Sequence, residues 1–204
     1  MKVLVTGHKG YIGSRLYKDL KRLGHDVSGI DLKDGVDILY CLPDESFDYV
    51  FHLAAMPKVS FCMTNPAYTM RQNVFVTSTL LEWAKDHDVK RVIFSSSAAV
   101  YGNVDGFPSS PYGLHKLMSE MECRLFSKLY GLDTVCLRYF NVYSEDQPFG
   151  GRRFHGQVSA GYARPPVLHF QWVDLMFHPL NRYEDFGNHP EPLPSPDTQP
   201  AQCC

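Results

Sequence analysis

The sequence predicts a doubly wound α/β domain with a parallel sheet, on three observations. Strand-like and helix-like patterns alternate from residue 1 to about residue 143, with connections long enough to hold crossover helices. A glycine-rich turn, Gly7-His8-Lys9-Gly10-Tyr11-Ile12-Gly13, stands directly between the first strand and the first helix. The apolar strands end in small or hydroxyl residues, and right-handed crossovers gather such ends on one edge of the sheet.

Taken in order, Lys2–Thr6 reads as a short buried strand and Ser14–Leu23 as a helix. Glycines at the intervening turn let a backbone approach a pyrophosphate closely, and the helix N-terminus adds partial positive charge. The spacing is G-x-x-G-x-x-G, which also serves simply to pack a helix on a strand. A second strand, Asp26–Ile30, ends in Asp31, about twenty residues beyond the turn, as a dinucleotide site requires. A carboxylate there accepts from ribose hydroxyls and repels a 2′-phosphate, so NAD is expected over NADP. Its plainer alternative is an Asp capping a turn.

Lys33–Glu45 is rich in turn residues, and within it Asp37-Ile38 suits either an adenine contact or a loop Asp beside a core Ile. Phe47–Leu53 reads as a strand buried on both faces. Small residues follow in His52-Leu53-Ala54-Ala55, with His52 read as a core histidine. Asn65-Pro66 starts a helix whose apolar residues recur at helical spacing from Ala67 to His87. Asn73, a poor helix former inside it, is expected to hydrogen-bond either backbone or cofactor.

Lys90–Ser97 is the next strand and ends in Ser95-Ser96-Ser97. Pro111-Tyr112-Gly113-Leu114-His115-Lys116 opens an amphipathic helix to about Tyr130. Tyr112 and Lys116, four apart, share one face of it, and an ammonium beside a phenol favours the phenolate. A last strand, Thr134–Phe140, ends at Asn141.

The chain of 204 residues carries a formal charge of −2 and no like-charge run, which gives no footprint for nucleic acid. No stretch reaches the roughly 18 to 20 apolar residues of a membrane span, and no signal-peptide core precedes the first strand, so a cytoplasmic protein is expected. Cys41, Cys62, Cys123, Cys136, Cys203 and Cys204 lack paired spacing and read as free thiols, with no metal site.

Thr6–Gly13, Asp31, His52–Ala55, Asn73, Ser95–Gly102, Tyr112-x-x-x-Lys116 and Leu137–Asn141 together resemble the extended short-chain dehydrogenase/reductase family. The nearest group is the NAD-dependent nucleotide-sugar epimerases and dehydratases, in particular the UDP-glucose 4-epimerases. The resemblance implies that Gly7, Gly10, Tyr11, Ile12 and Gly13 meet the dinucleotide pyrophosphate and Asp31 the ribose. It places Asp37 and Ile38 at the adenine, and Leu53, Ala54, Ala55, Asn73 and Phe140 along the cofactor. Ser97, Tyr112 and Lys116 correspond to the catalytic serine, base and ribose-binding lysine; Ser97, Tyr112 and Asn141 face substrate. A 4,6-dehydratase of this kind carries an Asp-Glu pair after the catalytic hydroxyl, where this chain has Ala98 and Ala99, which favours 4-epimerisation of a UDP-sugar. A homodimer is compatible with the resemblance.

The resemblance covers residues 1–150, the expected NAD-binding domain. Residues 151–204 hold no lysine and eight of the fourteen prolines, and are expected to be a poorly packed, truncated or divergent tail in place of a substrate domain. That expectation leaves a second reading, a non-catalytic NAD-binding module.

Overall fold

A computed structural model describes residues 1–102, 106–140 and 142. A parallel five-stranded sheet is flanked by helices, in strand order β2-β1-β3-β4-β5. The strands are β1 Lys2–Thr6, β2 Asp26–Ile30, β3 Tyr49–His52, β4 Arg91–Ser97 and β5 Asp133–Tyr139. The helices are α1 Tyr11–Arg22, α2 Val59–Thr64, α3 Pro66–Met70, α4 Val76–Asp86 and α5 Pro111–Tyr130.

β1 and β2 have the extents expected of them, while β3 is shorter than its apolar run. Phe47 lies outside the strand yet is buried, packing near Trp83 with ring centroids 6.1 Å apart. The single helix expected from Pro66 to His87 is interrupted by a π turn, Arg71–Phe75, between α3 and α4. α2 was not expected: it has six residues and no side-chain cap, so it leaves neither a periodic stripe nor a capping signal.

The core lies between the sheet and α4 and α5, built from Leu4, Val50, Val92 and Phe94 against Leu80, Leu81 and Cys123, all at most 1% exposed. Each large apolar side chain so buried contributes about 1.5–3 kcal/mol. Strand order reverses between β1 and β3, the crevice where ligands of such sheets bind. The register sets Thr6 opposite His52 and His52 opposite Phe94, so β1 and β3 end level there while β4 runs three residues farther, to Ser97. No helix of the described residues is long and apolar enough to cross a membrane. The expectations for Asn141, the tail from residue 151, Cys203 and Cys204 fall outside the described residues.

Candidate active site

The glycine turn is held by contacts that admit no side chain. Gly7 has φ +71, and a Cβ on it would meet the Ala54 nitrogen at 2.8 Å. A Cβ on Gly13 would stand 2.2 Å from the Gly7 carbonyl oxygen, so α1 packs onto the turn only with glycine there. Gly10 closes the turn, donating its N–H to the Gly7 carbonyl at 2.9 Å, and caps α1 without any side-chain hydrogen bond. The first-turn amides of α1, the turn around Tyr11, Ile12 and Gly13, therefore have no side-chain cap competing with a bound anion. The glycines are required by the packing of the turn on itself and on Ala54, and the first turn of α1 fits the pyrophosphate of a dinucleotide.

Asp31 stands beside it at the end of β2. One carboxylate oxygen accepts the Lys9 N–H at 2.8 Å and the other the Lys33 N–H at 2.9 Å. Both oxygens keep an acceptor position, so the group can receive ribose hydroxyls. Asp37 accepts the Leu39 N–H at 3.0 Å, and Ile38 is packed into the core at 5% exposure. Asp37 thus caps a turn and Ile38 reaches the core. Leu53, Ala54 and Ala55 follow β3 and are partly buried next to Gly7.

A directional hydrogen-bond chain fixes this floor. The Thr77 hydroxyl donates to the Asn73 carbonyl at 2.7 Å, so it accepts from His52 Nε2 at 3.1 Å. His52 is thereby the Nε2–H tautomer, and its Nδ1 accepts from the Thr6 hydroxyl at 2.7 Å. Thr6 Oγ1 in turn accepts the Ala54 N–H at 3.2 Å. Burial, helped by the charge of Lys116, pushes the imidazole down to about 3, so it stays neutral. The Asn73 amide grips the Met56 backbone at both ends, accepting its N–H at 2.7 Å and donating to its carbonyl at 3.2 Å. Cys62 donates to the same carbonyl at 3.5 Å.

At the end of β4, the Ser97 side chain acts on Tyr112 as a hydrogen-bonding neighbour and draws the phenol toward ionisation. Burial is the larger effect and raises the Tyr112 pKa above that of a free phenol. Lys116 is 3% exposed; its ammonium donates to the Ser95 carbonyl at 2.6 Å and lies 4.6 Å from the Phe94 ring centroid. It stands 6.0 Å from the Tyr112 ring centroid, and burial brings it down to about 8. Burial, opposed by Ser97, therefore sets the Tyr112 pKa, rather than the Lys116 charge expected to lower it.

Two features of this half were not read from the sequence. A Cβ on Gly113 would lie 2.3 Å from the Ala99 carbonyl oxygen, so the glycine after Tyr112 is what lets α5 press against the turn after Ser97. Glu120, wholly buried and two helical turns beyond Tyr112, accepts from Ser96 Oγ and binds the Arg138 guanidinium in a fork, with Nη2 at 2.7 Å and Nε at 2.9 Å. This pair ties α5 to β4 and β5 and fixes the helix along its axis. Arg138 also lies 4.7 Å from the Tyr101 ring centroid, and Tyr101 lies 6.2 Å from the exposed Phe140 ring.

Residues 3–168 match the family described as NAD dependent epimerase/dehydratase family. The chain is 32% identical over 207 residues to the uncharacterized UDP-glucose epimerase YtcB of Bacillus subtilis, covering 83% of this chain and 65% of that one. It is 35% identical over 174 residues to a UDP-glucose 4-epimerase of Halalkalibacterium halodurans, covering 72% of this chain and 52% of the relative. Among solved structures, a UDP-glucuronic acid 4-epimerase from Bacillus cereus in complex with UDP-glucuronic acid and NAD is similar with TM-score 0.63 and 35% identity, over 70% of this chain and 57% of that chain. The chain spans about half to two thirds of the length of the curated relatives it matches.

Proposed function

We propose that this chain, which belongs to the NAD dependent epimerase/dehydratase family, binds NAD and carries the proton-transfer apparatus of a UDP-sugar 4-epimerase. The observation that carries the reading is the shared sheet edge: β1, β2 and β4 run parallel and lead into the glycine turn, Asp31 and Ser97, and α5 with Tyr112 is tied to that end of β4 by the bond from Lys116 to Ser95. The first turn of α1, with Gly7, Gly10 and Gly13, would hold the pyrophosphate, Asp31 the adenosine ribose, and Leu53–Ala55 the floor beneath. NAD supplies a hydride acceptor that can give the hydride back.

Tyr112 Oη is the base that takes the proton of the sugar hydroxyl and later returns it to the same oxygen, the inversion coming from return of the hydride to the opposite face of the sugar carbon. The Ser97 hydroxyl donates to the oxygen that loses this proton and, before that, to the phenolate. Lys116, buried near the Tyr112 ring, would hold the nicotinamide ribose and bring positive charge to it. Ala98 and Ala99 put only methyl groups after Ser97, so elimination of water by a neighbouring acid pair has no counterpart here. Phe140 would face the sugar. The UDP-sugar complexes of similar structures support a nucleotide-sugar substrate.

Tyr112→Phe tests the reading, since it removes only the proton acceptor. Conversion of UDP-glucose to UDP-galactose, followed by chromatography in the presence of NAD, should fall by about 10²–10⁴-fold, with NAD affinity retained. Near-normal conversion would refute the role of Tyr112. If the wild-type chain binds NAD but converts no UDP-sugar, the second reading holds and the chain is a binding module.

A further inference from the structure

The ribose end of the site is ringed by more charge than Asp31 alone. Lys9 and Lys33, whose backbone amides both bind Asp31, bring two ammonium groups to this end of the site. The Lys33 ammonium donates to the Lys9 carbonyl at 2.9 Å. That of Lys9 is paired with Asp34, one turn beyond Asp31 in the short 3-10 segment Leu32–Asp34. Asp34 Oδ2 also faces His8 Nε2 at 3.4 Å. The His8 ring is fixed against Gly29, where a Cβ would come within 2.5 Å of it, and stands 5.1 Å from the Tyr17 ring.

Two lysines near the residue that receives a ribose are what a 2′-phosphate would seek. With Asp31 and Asp34 both ionised, the four groups sum to zero charge; without Asp34 they would be net positive and Lys9 would be released. We propose that Asp34 is a specificity-determining residue of this site: by holding the Lys9 ammonium it keeps the ribose end from binding a 2′-phosphorylated dinucleotide, a task Asp31 does not accomplish alone. The proposal rests on the dinucleotide reading above. It concerns only the choice between the two cofactors.

Calorimetric titration of the full chain with NAD⁺ and with NADP⁺ tests it. Asp34→Asn keeps the side-chain shape and removes the charge. It should tighten NADP⁺ by about three- to tenfold, the scale of one freed charge near a protein surface, while NAD⁺ affinity stays within about twofold. Adding Lys9→Ala to that variant should abolish the gain, and raising salt from about 0.05 to about 0.5 M should shrink it, as the screening length contracts. Asp34→Ser serves as a second variant, with the same expected outcome. Unchanged NADP⁺ affinity with NAD⁺ binding intact would overturn the proposal, as would a gain that survives Lys9→Ala. A wild-type chain that binds neither dinucleotide would overturn the cofactor reading and this proposal with it, an outcome distinct from the other two.

Discussion

Thr6, His52 and Thr77 are hydrogen-bonded in one direction only, since each hydroxyl has a single proton and both are committed. A charged imidazole would need a second acceptor where Thr6 now donates, so the network and burial both exclude protonation. The consequence for stability has a definite sign. His52 is held at about 3 when folded, against about 6.5 in an unfolded chain. Its stability contribution is therefore complete above about pH 6.5 and is lost as pH falls toward 3, because the unfolded chain takes up a proton that the folded one refuses. Urea unfolding followed by circular dichroism should show wild-type stability falling between about pH 6 and about pH 4 more steeply than that of His52→Gln, by up to about 1.4 kcal/mol per pH unit. Parallel curves would mean that folded His52 accepts the proton.

Among the elements, α5 carries the most function, and its placement depends on Gly113. Helix propensity alone says that Gly113→Ala stabilises, by about 1 kcal/mol. The contact says otherwise, since the new Cβ would stand 2.3 Å from the Ala99 carbonyl, a backbone atom that cannot swing aside. Overpacking of this kind costs about 1–3 kcal/mol, so the clash should win: a lower melting temperature, and loss of turnover as Tyr112 moves from Ser97. A raised melting temperature with full turnover would show that α5 has room to spare. The Tyr112 and Lys116 spacing was legible in the sequence, as were the glycine turn and Asp31, because each is a local pattern. Gly113 was not, because what it fits against is a carbonyl brought near only by the fold. The fork between Glu120 and Arg138 was hidden for the same reason, and the π turn because an inserted residue leaves the apolar periodicity on either side intact.

At the scale of the whole molecule, the outer face of α5 exposes Met121, Leu125 and Leu129, one stripe at helical spacing. Such a stripe supports self-association of the kind the sequence reading allowed. Sedimentation of the full chain should give a dimer that Leu125→Glu converts to monomer, and a wild-type monomer at tens of micromolar would remove the idea. The fold class was legible because crossover helices and strands alternate in the sequence, whereas nothing in a single chain pattern announces α2, whose six residues lack a cap. The sheet order has a kinetic side as well. Its rungs join Lys2 to Asp26, Val3 to Tyr49, Tyr49 to Arg91 and Arg91 to Asp133, with no hairpin among the described strands. Each pairing must close a long loop before it gains anything, so folding has no cheap local start in the sheet and belongs to the slower, high-contact-order regime. On a ribosome, the strands around the glycine turn can pair while the chain is still short, but Tyr112 cannot reach Ser97 until α5 has emerged and docked. The glycine turn is thus formed in the nascent chain before the residue proposed as the base is in place.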